Sequence, residues 1–214
     1  KYLKLYKIKS DLVEYDTDTL ENSLNFVHTT DDIFLGLNAS AYENLKEGYN
    51  DKYEYILPNV LLDKNLFSKN EYGVADLQTN FKIHNYDTNK TTKFLVNDVN
   101  WKSKNNDFNS GLRGRLLGKF RNINYETKNI SSFKKDTTSE MFGALGYLSE
   151  IDLYKNTDYA DHLLKPKILF RYAPSHMRKE KEGARLNHLN LFTLDRLNNN
   201  NNFEGGLSST VGFD

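Results

Sequence analysis

Polar and apolar positions alternate along much of this chain. From Val74 to Tyr86, Asp76, Gln78, Asn80, Lys82 and His84 fall on one parity, and Leu77, Thr79, Phe81 and Ile83 on the other. A strand turns successive side chains to opposite faces, so this segment is predicted to be a strand with one wet face and one dry face. The period recurs. Ile33, Leu35, Leu37, Ala39 and Ala41 oppose Asp32, Gly36, Asn38 and Ser40, with Phe34 the exception on the polar side. Leu112, Gly114, Leu116, Gly118 and Phe120 oppose Arg113, Arg115, Lys119 and Arg121. Met141, Leu145, Tyr147, Ile151 and Leu153 oppose Glu150 and Asp152, and Leu164, Ile168, Phe170 and Tyr172 oppose Lys165, Lys167 and Arg171. Weaker extended segments lie near TLENSLNFVHTT, YEYILPNVLL and TKFLVNDVNW.

The pattern predicts roughly nine or ten strands, many of about 9–12 residues or longer. Strands of soluble proteins cluster at about 5–6 residues, whereas a tilted strand crossing a bilayer needs about 9–11. The breaks are polar: YDTNKT, SKNNDFNS, NISSFKKDTT, HMRKEKEGARLNH and the asparagine run 198–202. Pro174 marks a strand end, and Pro166 a place where the ladder can lose a donor. In LNHLNLFTLDRL, Leu186, Leu189 and Leu197 stand near helical spacing, so a short amphipathic helix within a loop is one expectation there. Neither a linker nor a repeat divides the chain, and one continuous sheet is expected.

Composition sharpens this. The 214 residues would suffice for a sizeable soluble core, yet only 38% are hydrophobic and 27% are charged. Aromatic content is high at 13%, with 14 Tyr and 13 Phe, which argues against disorder. Tyrosines near strand ends suit an interfacial girdle and would equally serve as core edges in a soluble protein. Lys+Arg and Asp+Glu are both 29, so nothing global calls for nucleic acid. With 0 Cys there is no disulfide framework and no thiolate metal site. The absence of any run of about 18 apolar residues excludes a spanning helix and leaves a barrel wall open.

Candidate chemistry is sparse. His28, His84, His162, His176 and His188 are scattered without metal-ligand spacing, and no carboxylate pair is singled out as general acid and base. Neither a catalytic residue, a metal site nor a cofactor site is expected, and the chain does not read as an enzyme. GLRGRLLGKF lacks the Lys-Ser/Thr ending of a phosphate loop. What remains is the basic stripe Arg113, Arg115, Lys119 and Arg121. It is either a solvated face or a surface for an anion or partner inside a barrel.

The order of motifs in the last third carries a resemblance. LLKPKILFRYAPSHM is followed, after a charged gap, by RLNHLNLFTLDRL and then by FEGGLSSTVGFD. In Pro166, Arg171, Tyr172 and Pro174, then Arg185-Leu186, Asn190, Leu191, Phe192 and Arg196, then Phe203, Glu204, Gly205 and Gly206, the chain resembles the outer-membrane lipopolysaccharide-assembly family (LptD, formerly organic-solvent-tolerance protein), particularly its alphaproteobacterial members. YLKLYKIKS, TLENSLNF and YEYILPNVLLDKNLF look like that family's early barrel strands. The resemblance implies an all-β fold: an arc of an antiparallel transmembrane barrel in the outer membrane of a Gram-negative bacterium. Residues 1–214 would belong to the C-terminal barrel domain, with the N-terminal periplasmic domain and both seam strands lying outside the chain. It implies transport of lipopolysaccharide into the outer leaflet, with an LptE-like lipoprotein plug, an LptA-like periplasmic bridge and membrane lipids as partners, and no nucleic acid. Leu77, Phe81 and Ile83 should then meet lipid, the four basic residues should touch the plug or sugar phosphates, and the loop 175–190 should reach the cell surface. A passive porin shares every strand-level feature; a soluble all-β carbohydrate-binding module is disfavoured by strand length.

Overall fold

The computed structural model describes residues 19–46, 48, 53–86, 88–131, 133–134, 136–174, 186–199 and 202–214. YLKLYKIKS, and Ser175 to Arg185 of the expected surface loop, lie outside the described residues. Strands β1 (Thr19–Thr29), β2 (Ile33–Asn44), β3 (Tyr53–Lys69), β4 (Gly73–Asn85) and β5 (Thr91–Lys102) follow one another. A two-residue β6 (Asn106–Asp107) precedes β7 (Leu112–Lys128) and β8 (Thr138–Ile151). After them come β9 (Leu153–Asn156), β10 (Asp161–Leu164), β11 (Pro166–Ala173) and β12 (Gly206–Phe213). The main sheet runs β1-β2-β3-β4-β5-β7-β8-β11-β12, antiparallel at every pairing, with β6 beside β7; β9 and β10 form a separate hairpin. It is open, because among the described residues β1 and β12 each pair on one side only.

The fold is therefore all-β. β3 and β7 reach 17 residues each, well beyond ordinary soluble strands. Pro166 opens β11 and Pro174 follows its end, where a missing donor costs the ladder least. At the β3–β4 turn, Gly73 has φ +88, and a Cβ there would stand 2.7 Å from Ser103 Cα, so only glycine fits.

Directly opposed residues share a face, so the register carries the two parities across the sheet. The row Phe26–Leu37–Val60–Phe81–Leu95 runs on the apolar face from β1 to β5. On β7 its next member is Asn124; the apolar residues of that face are Leu116 and Phe120, nearer the start of the strand. From there the band continues through Gly118–Leu145–Tyr172–Leu207 and into Val211 on β12. The apolar band thus crosses the ladder diagonally.

The opposite, polar face is not uniformly wet. Between β5 and β11 it carries Val96, Leu117, Ile123, Tyr125, Phe142 and Leu169, packed with Leu194 and Phe203 into the buried cluster. The β7–β8 loop contributes Phe133, edge-on to Phe94 and Tyr125 at centroid separations of 5.1 and 5.4 Å. Residues 186–199 and 202–205, between β11 and β12, fold back across this same face. The expected helix there is absent: 188–192 form turns and 193–194 a bend. The amides of Leu189 and Asn190 bond Asn187 Oδ1, the amide of Asn187 bonds Asn190 Oδ1, and Thr193 Oγ1 donates to Asn190 O. Asparagine side chains that capture backbone amides in this way compete with the helical ladder.

Candidate functional site

The stripe on β7 and the folded-back segment meet over β5, β7 and β8. Register sets Asp98 of β5 directly opposite Arg121 of β7. Arg121 Nε and Nη2 donate to the two oxygens of Asp98, each at 2.6 Å, in the bidentate geometry that suits guanidinium and carboxylate. Its Nη1 donates to Asn199 O at 2.9 Å and lies 2.9 Å from Asp195 Oδ2, both on the segment. Lys119 Nζ stands 3.2 Å from Asp98 and 3.7 Å from Asp195. Two cations and two carboxylates therefore form a closed, formally neutral cluster. Asp98 and Arg121 are each only 5% exposed, so each depends on the other for compensation of its lost hydration.

A second clamp lies on β11. Arg171, 1% exposed, donates from Nε to Leu194 O at 2.7 Å and from Nη2 to Glu204 O at 2.6 Å. Its guanidinium sits 5.4 Å from the Phe203 ring, and that ring stacks on Phe142 at 5.8 Å. From the segment itself, Arg196 bonds both oxygens of Glu204 and reaches Ser208 Oγ and Thr210 Oγ1 of β12. A Cβ on Gly146 would lie 2.7 Å from Leu194 Cδ2, and one on Gly212 would lie 3.0 Å from Phe192 Cζ. The two glycines let the segment approach the sheet.

The four stripe residues do share one face, as the alternation predicts. Their charges are mostly spoken for. Arg113 pairs with Asp152, which also lies 3.4 Å from Lys165 Nζ, while Lys119 and Arg121 belong to the closed cluster. Arg115 differs: its Nε is buried and has no hydrogen-bond partner among the described residues. It lines an open cleft of about 610 Å³ between β5, β7 and the segment. Asn190 and Phe192 help wall that cleft, while Arg196 and Glu204 tie the segment down. None of Pro166, Tyr172, Pro174, Leu191, Gly205 and Gly206 lines the cleft: Pro166 opens β11, Tyr172 lies on its apolar face and Pro174 follows its end, Leu191 and Gly205 lie in the segment, and Gly206 has φ +99 where β12 begins. Asp98 and Asp195 were not singled out from the sequence. The one signal for Asp98 is its parity with Val96 and Phe94, which becomes meaningful only once Arg121 is known to lie opposite.

His84 bonds Glu54 and stacks on Tyr86 at 3.7 Å, remote from this site. Among the described residues no group of three His, Asp or Glu side chains is placed to hold a metal ion. No protein-family model and no curated protein matches the chain.

Proposed function

We propose that this chain forms part of the wall of an outer-membrane β-barrel that carries lipopolysaccharide to the outer leaflet, with residues 186–199 and 202–205 folded into the lumen. The observation that supports a membrane reading is an inverted distribution of polarity. Leu145 is 64% exposed and Leu207 80%, on a face where Leu24, Met141, Val211 and Phe213 are also exposed, whereas Arg171, Arg121 and Asp98 are buried on the other. Water would favour the reverse, and an apolar band that crosses nine strands, exposed on β1, β7, β8, β11 and β12 and half-buried at Val60, Phe81 and Leu95 of β3 to β5, calls for an apolar medium. The strands between β1 and β12 satisfy one another's backbone groups, as any structure in hydrocarbon must, and in this reading further strands of the barrel pair the outer edges of β1 and β12.

The lipopolysaccharide part rests on the ordered motifs of the last third. Within this reading, Leu77, Phe81 and Ile83 meet lipid, an LptE-like lipoprotein occupies the lumen beside the folded-back segment, and an LptA-like bridge delivers the glycolipid. The protein makes and breaks no covalent bond. The test is conditional depletion of the full-length protein in its own cell, with newly made surface lipopolysaccharide and small-solute uptake followed together. Stalled lipopolysaccharide with unchanged solute entry is expected. Normal surface lipopolysaccharide with reduced solute entry overturns the reading in favour of a porin, whose lumen a folded-back segment would constrict.

A further inference from the structure

A polar island interrupts the apolar face. Register places Thr79 of β4, Asn97 of β5 and Asn122 of β7 in one row, with Asn124 of β7 and Ser139 of β8 in the adjoining row of the same face. The island does not lie at the margin of the band. Along its own strand Thr79 stands between Leu77 and Phe81, and Asn97 between Leu95 and Val99. Asn122 lies opposite Met141, which is 69% exposed. A side-chain amide held in hydrocarbon is costly unless its donors and acceptors are matched.

The island matches only part of itself. Thr79 Oγ1 donates to Asn97 Oδ1 at 2.8 Å, Asn124 Nδ2 donates to Asn122 Oδ1 at 2.6 Å, and Asn122 Nδ2 reaches Glu140 O at 3.4 Å. Two capacities stay open among the described residues: the side-chain N–H groups of Asn97 and the side-chain oxygen of Asn124. Neither atom is buried, so both can be reached from outside the wall. In the following row Lys93 and Glu126 pair with each other at 3.2 Å, so the open set is neutral. An occupant must accept from one amide and donate to another without bringing charge. The acyl chains of a lipid do neither, and its ester carbonyls only accept. A second copy of this chain does both. In a two-fold contact, Asn97 of each copy meets Asn124 of the other, because an isologous patch pairs residue i with j and j with i. Leu116, Phe120 and Met141, all exposed beside the amides, supply the close packing on which association in a membrane rests.

We propose that the wall associates with a second copy of itself through this island, Asn97 of each copy donating to Asn124 of the other. The contact rests on the membrane part of the reading above and is independent of what the barrel transports.

The experiment is photo-cross-linking of the full-length protein in its own membrane, with Ser139→p-benzoylphenylalanine as the probe and two differently tagged forms made in the same cell. Ser139 is exposed at the rim of the island. An adduct that carries both tags is expected. Asn97→Ala or Asn124→Ala, introduced into both forms, removes both reciprocal bonds and should lower the adduct yield about tenfold, the scale of two hydrogen bonds in a membrane. Should one variant fail to accumulate in the membrane, the other is read. The same probe in place of Leu207, far along the sheet on β12, should give little two-tag adduct. No two-tag adduct, an adduct with a different protein in its place, an equal yield from position 207, or a yield that neither substitution changes overturns the proposal. Absence of the adduct while Leu145→Arg is costly on refolding into vesicles removes the self-contact alone. Absence of the adduct together with a neutral Leu145→Arg removes the lipid-facing assignment as well.

Discussion

Replacing Asp98 by Asn keeps the shape of the side chain and removes one charge from the cluster that pins the folded-back segment at Asp195 and Asn199. Asp98 and Arg121 are nearly inaccessible and bidentately bonded, at 2.6 Å for each contact. Breaking a buried pair costs about 3–5 kcal/mol, because the surviving ion stays desolvated. Arg121 keeps Asp195 and Asn199 O, so the lower end applies, about 3 kcal/mol. Arg121→Gln should cost a similar amount, since it leaves Asp98 with Lys119 alone. The two residues act as one unit. The double variant should therefore lose about 4 kcal/mol rather than the additive 6, a coupling of about 2. Equilibrium urea unfolding of the chain in detergent, followed through its single tryptophan, Trp101, measures all four corners of the cycle. If Asp98→Asn acts by releasing the segment, trypsin cleavage at Arg196 should accelerate up to about a hundredfold, the equivalent of 3 kcal/mol. Single-variant losses that add to within about 0.5 kcal/mol, or cleavage at Arg196 that does not change, would refute the clamp.

Phe203, fully buried against Phe142 and Arg171, should cost about 3–5 kcal/mol as Phe203→Ala in the same unfolding assay; a loss under about 1 would mean that the segment is not seated there. On the other face, Leu145→Arg should cost about 2–4 kcal/mol when the protein is refolded into lipid vesicles. A change within about 0.5 kcal/mol would mean that this side chain faces water, and would sink the lipid assignment of the apolar band.

The strands were legible because their signal is local: a two-residue period survives any ignorance of what lies across the sheet. Leu77, Phe81 and Ile83, and the four stripe residues, fall on the faces their parity assigns. The polarity of the β7 face was only half legible. Leu117, Ile123 and Tyr125 alternate in step with the arginines, and their burial depends on Phe133, Leu194 and Phe203, supplied from loops. Nothing in the period of a strand announces what will cover it. The segment itself was the least legible. Leu186, Leu189 and Leu197 suggest a helical stripe, while the Asn187 and Asn190 side chains capture the backbone amides first. The pairing of Asp98 with Arg121 and Asp195 joins three places far apart in the chain, and each looks like an ordinary surface charge in isolation.

The oblique course of the apolar band has a geometric consequence. Followed along the hydrogen-bonded rows, Leu37 of β2 leads in four strand steps to Asn124 of β7, yet the apolar stretch of β7 centres on Gly118, six residues away. Six residues at about 3.3 Å are about 20 Å along the strand, against about 19 Å for four strand spacings of about 4.8 Å. A flat hydrocarbon slab can match such a band only if the strands lean about 45° from its normal, the inclination at which staggered sheets curl towards closure. The sequence thus encodes a slope: each strand's greasy stretch is offset from its neighbour's by one to two residues, so that a level layer and a sheared ladder fit the same wall.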